Sequence, residues 1–286
     1  MEQLKIELET SLPHPALRRF VSYYGQRRLA PGANLQEPVT ARLGGLLEFH
    51  FAGLYRVPIY GTERYSPCAP MLAVGPMTCR RVQLEADGAV EALTVMFQPC
   101  GIFELFGVPT HLLTEHAVET HSVLGASISR LYARLGEAEN FAHRTRLLDR
   151  FLLSKSNALT AEPSWSKAFA AIARYRGPYS VRQMAVSLNV SVRHLERKSL
   201  DFTGMTPQNM ARVARFVYAL GLSQTSKRSI TWTEIAHAAG YYDQMHLIRD
   251  FRVMGGTTPT ALADELQPHH GASLLLDPLT SVGLQE

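Results

Sequence analysis

Two short stretches carry the side chains best suited to chemistry. In "SVRHLERKS", Ser191 precedes Arg193 and Arg197, which stand one helical turn apart. In "DQMHLIRDF", Asp243 precedes Gln244, His246 and Arg249. A guanidinium fork clamps phosphate or bonds bidentately to guanine, and carboxamide and imidazole groups meet base edges. On an ordinary helix such arginines are solvated surface charge. They become reading groups only if the helices carrying them are presented outward by a fixed scaffold.

The chain repeats that scaffold. Ser180 and Gln183 open "SVRQMA", and Thr231 and Glu234 open "TWTEIA" 51 positions later, both in the pattern of a capping box. Met184-Ala185 corresponds to Ile235-Ala236, and Asn189 to Gly240, two residue types that accept a left-handed turn. After a one-residue insertion the offset is 52: Leu195 matches Leu247, Arg197 matches Arg249, and "GMTP" (204–207) matches "GTTP" (256–259). In each phrase Gly closes a helix, Thr206 or Thr258 caps the next, and Pro sits at its first position. The amides at those two helix starts could also hold phosphates. Each unit therefore reads as helix, tight turn, second helix, a shape whose second helix fits a major groove. Ser191 and Asp243 cap the second helices, with Val192 and Leu195, then Leu247 and Phe251, facing inward. "PQNMARVARFVYALGL" (207–222) places Met210, Val213, Phe216, Val217 and Leu220 on one face and links the units.

These residues resemble the AraC/XylS family of bacterial transcription regulators, from near Ser164 to near Leu266. "SVRQMAVSLNVSVRHLERK", "GMTPQNMARVARFVYAL" and "EIAHAAGYYDQMHLIRDFRVMGGTTP" match its paired helix-turn-helix domain. Gly240, Tyr241, Asp243, Gln244 and His246 form its G-[aromatic]-x-D-Q-x-H stretch. The chain departs from the pattern at Ser199, where the family carries an aromatic residue, at Met245, where it carries a small polar one, and at Met210, where it carries Tyr or Phe. The resemblance implies sequence-specific binding to double-stranded promoter DNA, commonly activation through RNA polymerase, and control by an N-terminal effector or dimerisation domain. On those helices Arg193 and Arg197 are expected to contact DNA. Gln244 is open between a base contact and a structural hydrogen bond, and His246 between a base contact and packing beside the turn. Arg249 is open between phosphate and a pair with Asp250 or Asp243.

The first 110 residues have strand grammar. "LLEFHFAG", "YRVPIYG", "MLAVGPMTCRRVQLE" and "ALTVMFQPCG" are short apolar or alternating runs punctuated by Gly, Pro and Asp. "HPALRRFVSYYGQRR" (14–28) reads as a helix or an edge segment, and from about 122 the spacing turns helical. Gly75-Pro76 and "FQPCG" (97–101) resemble the β-rich sensor domains attached to such modules, and the helices of 122–154 their dimerisation segment, which implies a homodimer. The fold expected is α+β: a β-rich, barrel-like regulatory domain over 1–160, an all-α domain of two helix-turn-helix units over 161–268, and a mobile tail over 269–286. Alternation puts Glu48 and His50 on one face of a strand, so with Tyr55 they are candidates to line an effector pocket. The Arg80-Arg81 pair reads as a solvated strand edge.

Composition narrows the class. With 46% hydrophobic and 19% charged residues the chain is globular, and no apolar run is long enough to span a bilayer. The acidic start lacks a signal peptide's pattern, so a cytosolic, membrane-free protein is expected. Residues 161–270 hold 13 Lys+Arg against 8 Asp+Glu, an excess suited to a polyanionic partner. Cys68, Cys79 and Cys100 form no C-x-x-C pair, and His269-His270 has no further ligand at metal spacing, so neither a metal nor a cofactor is expected. Two competing classes stay in view. One is an enzyme domain with the helices as accessory, for which no G-x-S-x-G elbow, phosphate loop, H-E-x-x-H or paired-carboxylate motif speaks; an alkyl transferase would need zinc cysteines the chain lacks. The other is an architectural binder indifferent to DNA sequence.

Overall fold

A computed structural model describes residues 6–80, 82–156, 163–174, 180–225 and 230–266. The expected tail over 269–286, His269-His270, Arg81 and most of the proposed boundary near 160 lie outside the described residues. The β-rich half holds β1 (Ile6–Ser11), β2 (Val21–Leu29), β3 (Asn34–Val39), β4 (Leu46–Ala52), β5 (Met71–Val74), β6 (Val82–Asp87), β7 (Val90–Phe97) and β8 (Ala117–Glu119). The helices are α1 (Gly101–Phe106), α2 (Thr120–Leu124), α3 (Ala126–Gly136), α4 (Phe141–Ser156), α5 (Pro163–Arg174), α6 (Val181–Ser187), α7 (Val192–Thr203), α8 (Pro207–Thr225), α9 (Trp232–Ala238), α10 (Gln244–Met254) and α11 (Pro259–Glu265).

The strands form two open antiparallel sheets, one in the order β1-β2-β7-β4-β5-β8, the other β3-β6. This corrects the barrel-like expectation, because β1 and β8 remain edges of the large sheet. Period-2 alternation on β4 decides how the sheet is used. Leu47, Phe49 and Phe51 join the core that includes Leu131 of α3 and Leu147, Leu148 and Leu152 of α4. Leu46, Glu48 and His50 point the other way, into a cavity also walled by Val39 of β3 and Leu84 of β6.

The segment 14–28 is neither a helix nor an edge. A 3-10 turn at Pro15–Leu17 leads into β2, which pairs with both β1 and β7. Its alternation is hidden because both faces are buried, and its polar residues are matched. Arg27 bonds Glu37 of the small sheet at 2.7 Å, and Gln26 accepts from Arg144 at 2.6 Å. Burial, the largest single influence, works against the Arg27 charge, but Glu37, Tyr55 and Glu48 together outweigh it and keep the guanidinium charged.

The helical half packs around α8. Met210, Val213, Phe216 and Leu220 are buried along it, as the spacing predicts, and Val217 is half-buried against the same core. Phe251 of α10 meets Phe216 and Trp232, with ring centroids 4.9 and 5.5 Å away, and burying such a ring is worth about 1.5–3 kcal/mol. Ser199, the counterpart of Phe251, is wholly buried and donates to the Met205 carbonyl at 2.6 Å. Aromatic mass comes instead from Phe202, packed on Phe169 at 5.8 Å and on Phe103 of α1 at 4.2 Å. A ring from the β-rich half thus completes the first module, and Ala41, Leu43 and Cys100 join the same core.

Candidate nucleic-acid interface and effector cavity

The duplicated phrases fold alike. In the first unit Val190 N–H donates to the Ala185 carbonyl at 2.9 Å across Asn189, whose φ is +54°. In the second, Tyr241 N–H donates to the Ala236 carbonyl at 2.9 Å across Gly240, at φ +77°. Asparagine and glycine are the residues that enter this region most cheaply, so the turn is written in the sequence. The expected caps form, although the full capping box is seen in the second unit and only its Ser180 half in the first. Ser191 accepts from the His194 amide at 3.1 Å, Asp243 from the His246 amide at 2.8 Å, and Thr231 and Glu234 complete a capping box. In the first unit Ser180 accepts from the Gln183 amide. Thr206 and Thr258 cap α8 and α11 through the Asn209 and Ala261 amides.

Leu195 and Leu247 face inward and are fully buried, which turns Arg193 and Arg197 of α7, and His246 and Arg249 of α10, to the exposed side. Val192 does not point inward as expected; it is 38% exposed at the start of α7. Arg249 pairs with neither Asp250 nor Asp243. Asp250 is bonded by Arg212 at 2.6 Å, and Asp243 holds the His246 ring at 2.8 Å. The His246 amide, then its ring, hold the Asp243 carboxyl below its usual range. Gln244 is half-buried and accepts from Thr233 at 2.9 Å, so its carbonyl end is already engaged. Arg197 lies 3.1 Å from the His194 ring. Tyr242, 86% exposed beside His246, and Met245, 56% exposed, complete the outward surface of the second unit.

Residues 184–265 match the sequence model of a family described as "Helix-turn-helix domain". This segment is an AraC-type helix-turn-helix domain. No curated protein matches the chain significantly. Among solved structures, the chain is similar to ToxT from Vibrio cholerae O395, with 10% identity over 92% of this chain and 98% of that one, at a TM-score of 0.47. A ToxT structure with bound unsaturated fatty acid, from Vibrio cholerae strain SCE256, gives 10% identity over 96% and 100% of the two chains, at 0.47. The AraC-like transcriptional activator CuxR gives 11% identity over 67% and 79%, at 0.27.

The β-rich half grips both Gly-x-Thr-Pro phrases of the AraC-type domain, just past the C-terminal ends of its outward helices. At the first, Thr110 donates to the Phe202 carbonyl at 3.0 Å and Thr114 to the Gly204 carbonyl at 2.9 Å. At the second, the amides of Ala41 and Arg80 donate to the carbonyls of Met254 and Val253 at 2.9 and 3.2 Å. The Arg80 side chain also donates to the Gly255 carbonyl at 3.0 Å and pairs with Glu265 at 2.8 Å. Arg80 is therefore no solvated strand edge but a bolt between the halves. The unpaired carbonyls at the end of a helix are satisfied here from another domain.

The cavity between the two sheets has a volume of about 70 Å³, and its wall includes all three predicted residues, Glu48, His50 and Tyr55. His50 and Tyr55 meet edge-on at 5.2 Å. Burial raises the Tyr55 hydroxyl well above its ordinary value, so it stays protonated. Arg42, Glu115 and His116 line it too, and no periodicity pointed to them. Among the described residues no cluster of metal-ligating side chains occurs, no disulfide joins Cys68, Cys79 and Cys100, and no helix is long and apolar enough to cross a membrane.

Proposed function

We propose that this chain is a sequence-specific transcriptional regulator that docks its AraC-type domain on double-stranded promoter DNA. The observation that carries the reading is the repetition of one capped helix-turn-helix, each copy turning Arg193 and Arg197, or His246 and Arg249, outward from a buried leucine. Docking would begin with phosphate contacts, and base edges would then be read from α7 and α10. The β-rich half is the regulatory domain, with Glu48, His50 and Tyr55 around the effector cavity. Homodimerisation through the helices of 122–154 and activation through RNA polymerase complete the proposal; both come from the family resemblance.

The test is selection of bound sequences from a random duplex pool, followed by affinities at fixed salt. Arg197→Ala and Arg249→Ala are each expected to weaken the selected site by about 1–3 kcal/mol, or roughly 5- to 150-fold. Arg193→Ala should act in the same direction. Full affinity in the Arg197→Ala/Arg249→Ala double variant, with its helicity intact, refutes the assigned helices. Equal affinity for random DNA would favour an architectural binder.

A further inference from the structure

Three arginines are buried in the β-rich half among the described residues, and two of them hold a carboxylate. Arg27 pairs with Glu37, and Arg144 with Glu91, both at 2.7 Å. Arg42 has no carboxylate within ion-pair distance among the described residues. Its side chain donates to the Gly75 carbonyl at 3.2 Å, while its Nε, also buried, finds no partner. Yet Arg42 is the one of the three that lines the cavity.

An unmatched guanidinium in such a place is expensive, since the desolvation of a buried ion costs several kcal/mol. Burial pushes Arg42 down to about 10, with the Glu48 charge acting in its favour, so it is still protonated at neutral pH. Glu48 shares the cavity wall but makes no ion pair with it. A second polar group is also unused: His50 is 3% exposed, and neither ring nitrogen has a hydrogen-bond partner. Glu115, by contrast, is engaged, accepting from the Thr78 amide at 2.9 Å.

We propose that the cavity takes a small organic carboxylate, the acid group on Arg42 with His50 as a second donor, and the body against apolar walls. The proposal deepens the effector reading above and rests on it. A guanidinium fork matches a carboxylate in two parallel bonds, and an imidazole ring N–H supplies another. Val39, Leu46, Leu72, Val74, Val82 and Leu84 supply the apolar surround, which suits an aliphatic or aromatic body. Glu48 faces the same space and would take a hydroxyl or amine carried on that acid.

The experiment is calorimetric titration of the full chain with benzoate, hexanoate and 2-hydroxyhexanoate, each beside its neutral primary amide. At least one acid is expected to bind, with its amide at least tenfold weaker. Arg42→Gln should abolish that preference, and Arg42→Lys, which keeps the charge without the fork, should retain part of it. Since the acid-to-amide comparison is made on the unaltered protein, it stands even if Arg42→Gln fails to fold. Equal binding of acid and amide overturns the carboxylate class while leaving an effector cavity in place. Binding of no acid, or a preference that survives Arg42→Gln, overturns the assignment of Arg42. Promoter affinity is measured separately, so none of these outcomes touches the DNA-binding reading.

Discussion

Arg80→Ala should loosen the AraC-type domain from the β-rich half without unfolding either. The side chain makes two interactions across the junction. Its bond to the Gly255 carbonyl is charge-assisted and half-shielded, worth about 1.5–3 kcal/mol. Its pair with Glu265 joins a group 10% exposed to one 42% exposed, so screening limits it to about 0–1 kcal/mol. Stem packing against Gly256 is lost as well, which makes about 2–4 kcal/mol a fair total. The ratio of docked to undocked chains should then fall by at least about 30-fold. Hydrogen exchange reads this directly, because the Ala41 amide is protected by the Met254 carbonyl on the other side of the junction. Its exchange should accelerate by that factor, while Leu93, deep in the β2–β7–β4 ladder, keeps the wild-type rate. If Ala41 exchanges as before, Arg80 is not a bolt. If Leu93 accelerates equally, the substitution has unfolded the sheet, and the two halves are not separable units.

Gly204→Ala should act at the other grip: φ is +71°, and a Cβ there would lie 2.3 Å from Thr114 Oγ1 and 2.9 Å from Pro76. The left-handed conformation alone costs about 1–2 kcal/mol, so the melting temperature should fall and exchange at the first phrase should rise; an unchanged melting curve refutes the packing. Asn189→Ala should lower thermal stability by about 1 kcal/mol and Asn189→Gly should not, since φ is +54° there; equal melting of the two variants would count against the turn. The depressed Asp243 carboxyl contributes stability that is present above its unfolded pKa and lost as pH falls through the lower folded value. Acid should therefore loosen α10, and Asp243→Asn should flatten the acid limb of the amide-exchange profile of α10; an unaltered limb refutes the cap's role.

The helical half was readable because its signals are local. A cap, a left-handed turn and a buried leucine lie within a dozen residues of one another, and their recurrence at a fixed offset supplied the second measurement that one copy lacks. The outward helices follow from that geometry, as do Arg193, Arg197, His246 and Arg249. Val192 escaped it because residues at the first turn of a helix are free of the period that governs its middle. In the β-rich half the signals are long-range. The central strand β2 is buried on both faces, so alternation vanished, and its Gln26 and Arg27 are tolerated only because partners arrive from α4 and β3. Arg80 acquires its role from a carbonyl 175 residues away, and Arg42 from the absence of a carboxylate that only packing reveals. Glu48 and His50 were found because two positions on one strand must share a face.

The grip and the cavity are built from the same three segments. Ala41 bonds Met254, and Arg42 lines the cavity one residue on. Met77 lines the cavity, exchanges two backbone bonds with Arg42, and stands three residues before Arg80. Thr114 bonds the Gly204 carbonyl, and Glu115 and His116 follow it in the wall. A ligand shifts an equilibrium only by the difference in its contacts with the two states. Here the residues it would touch are chain neighbours of those that hold both Gly-x-Thr-Pro phrases, so a displacement of the wall by a few tenths of an ångström would reach hydrogen bonds of 2.9–3.2 Å. The two phrases sit just past the ends of α7 and α10, so the repeat that positions the outward helices also gives the β-rich half one matching handle on each.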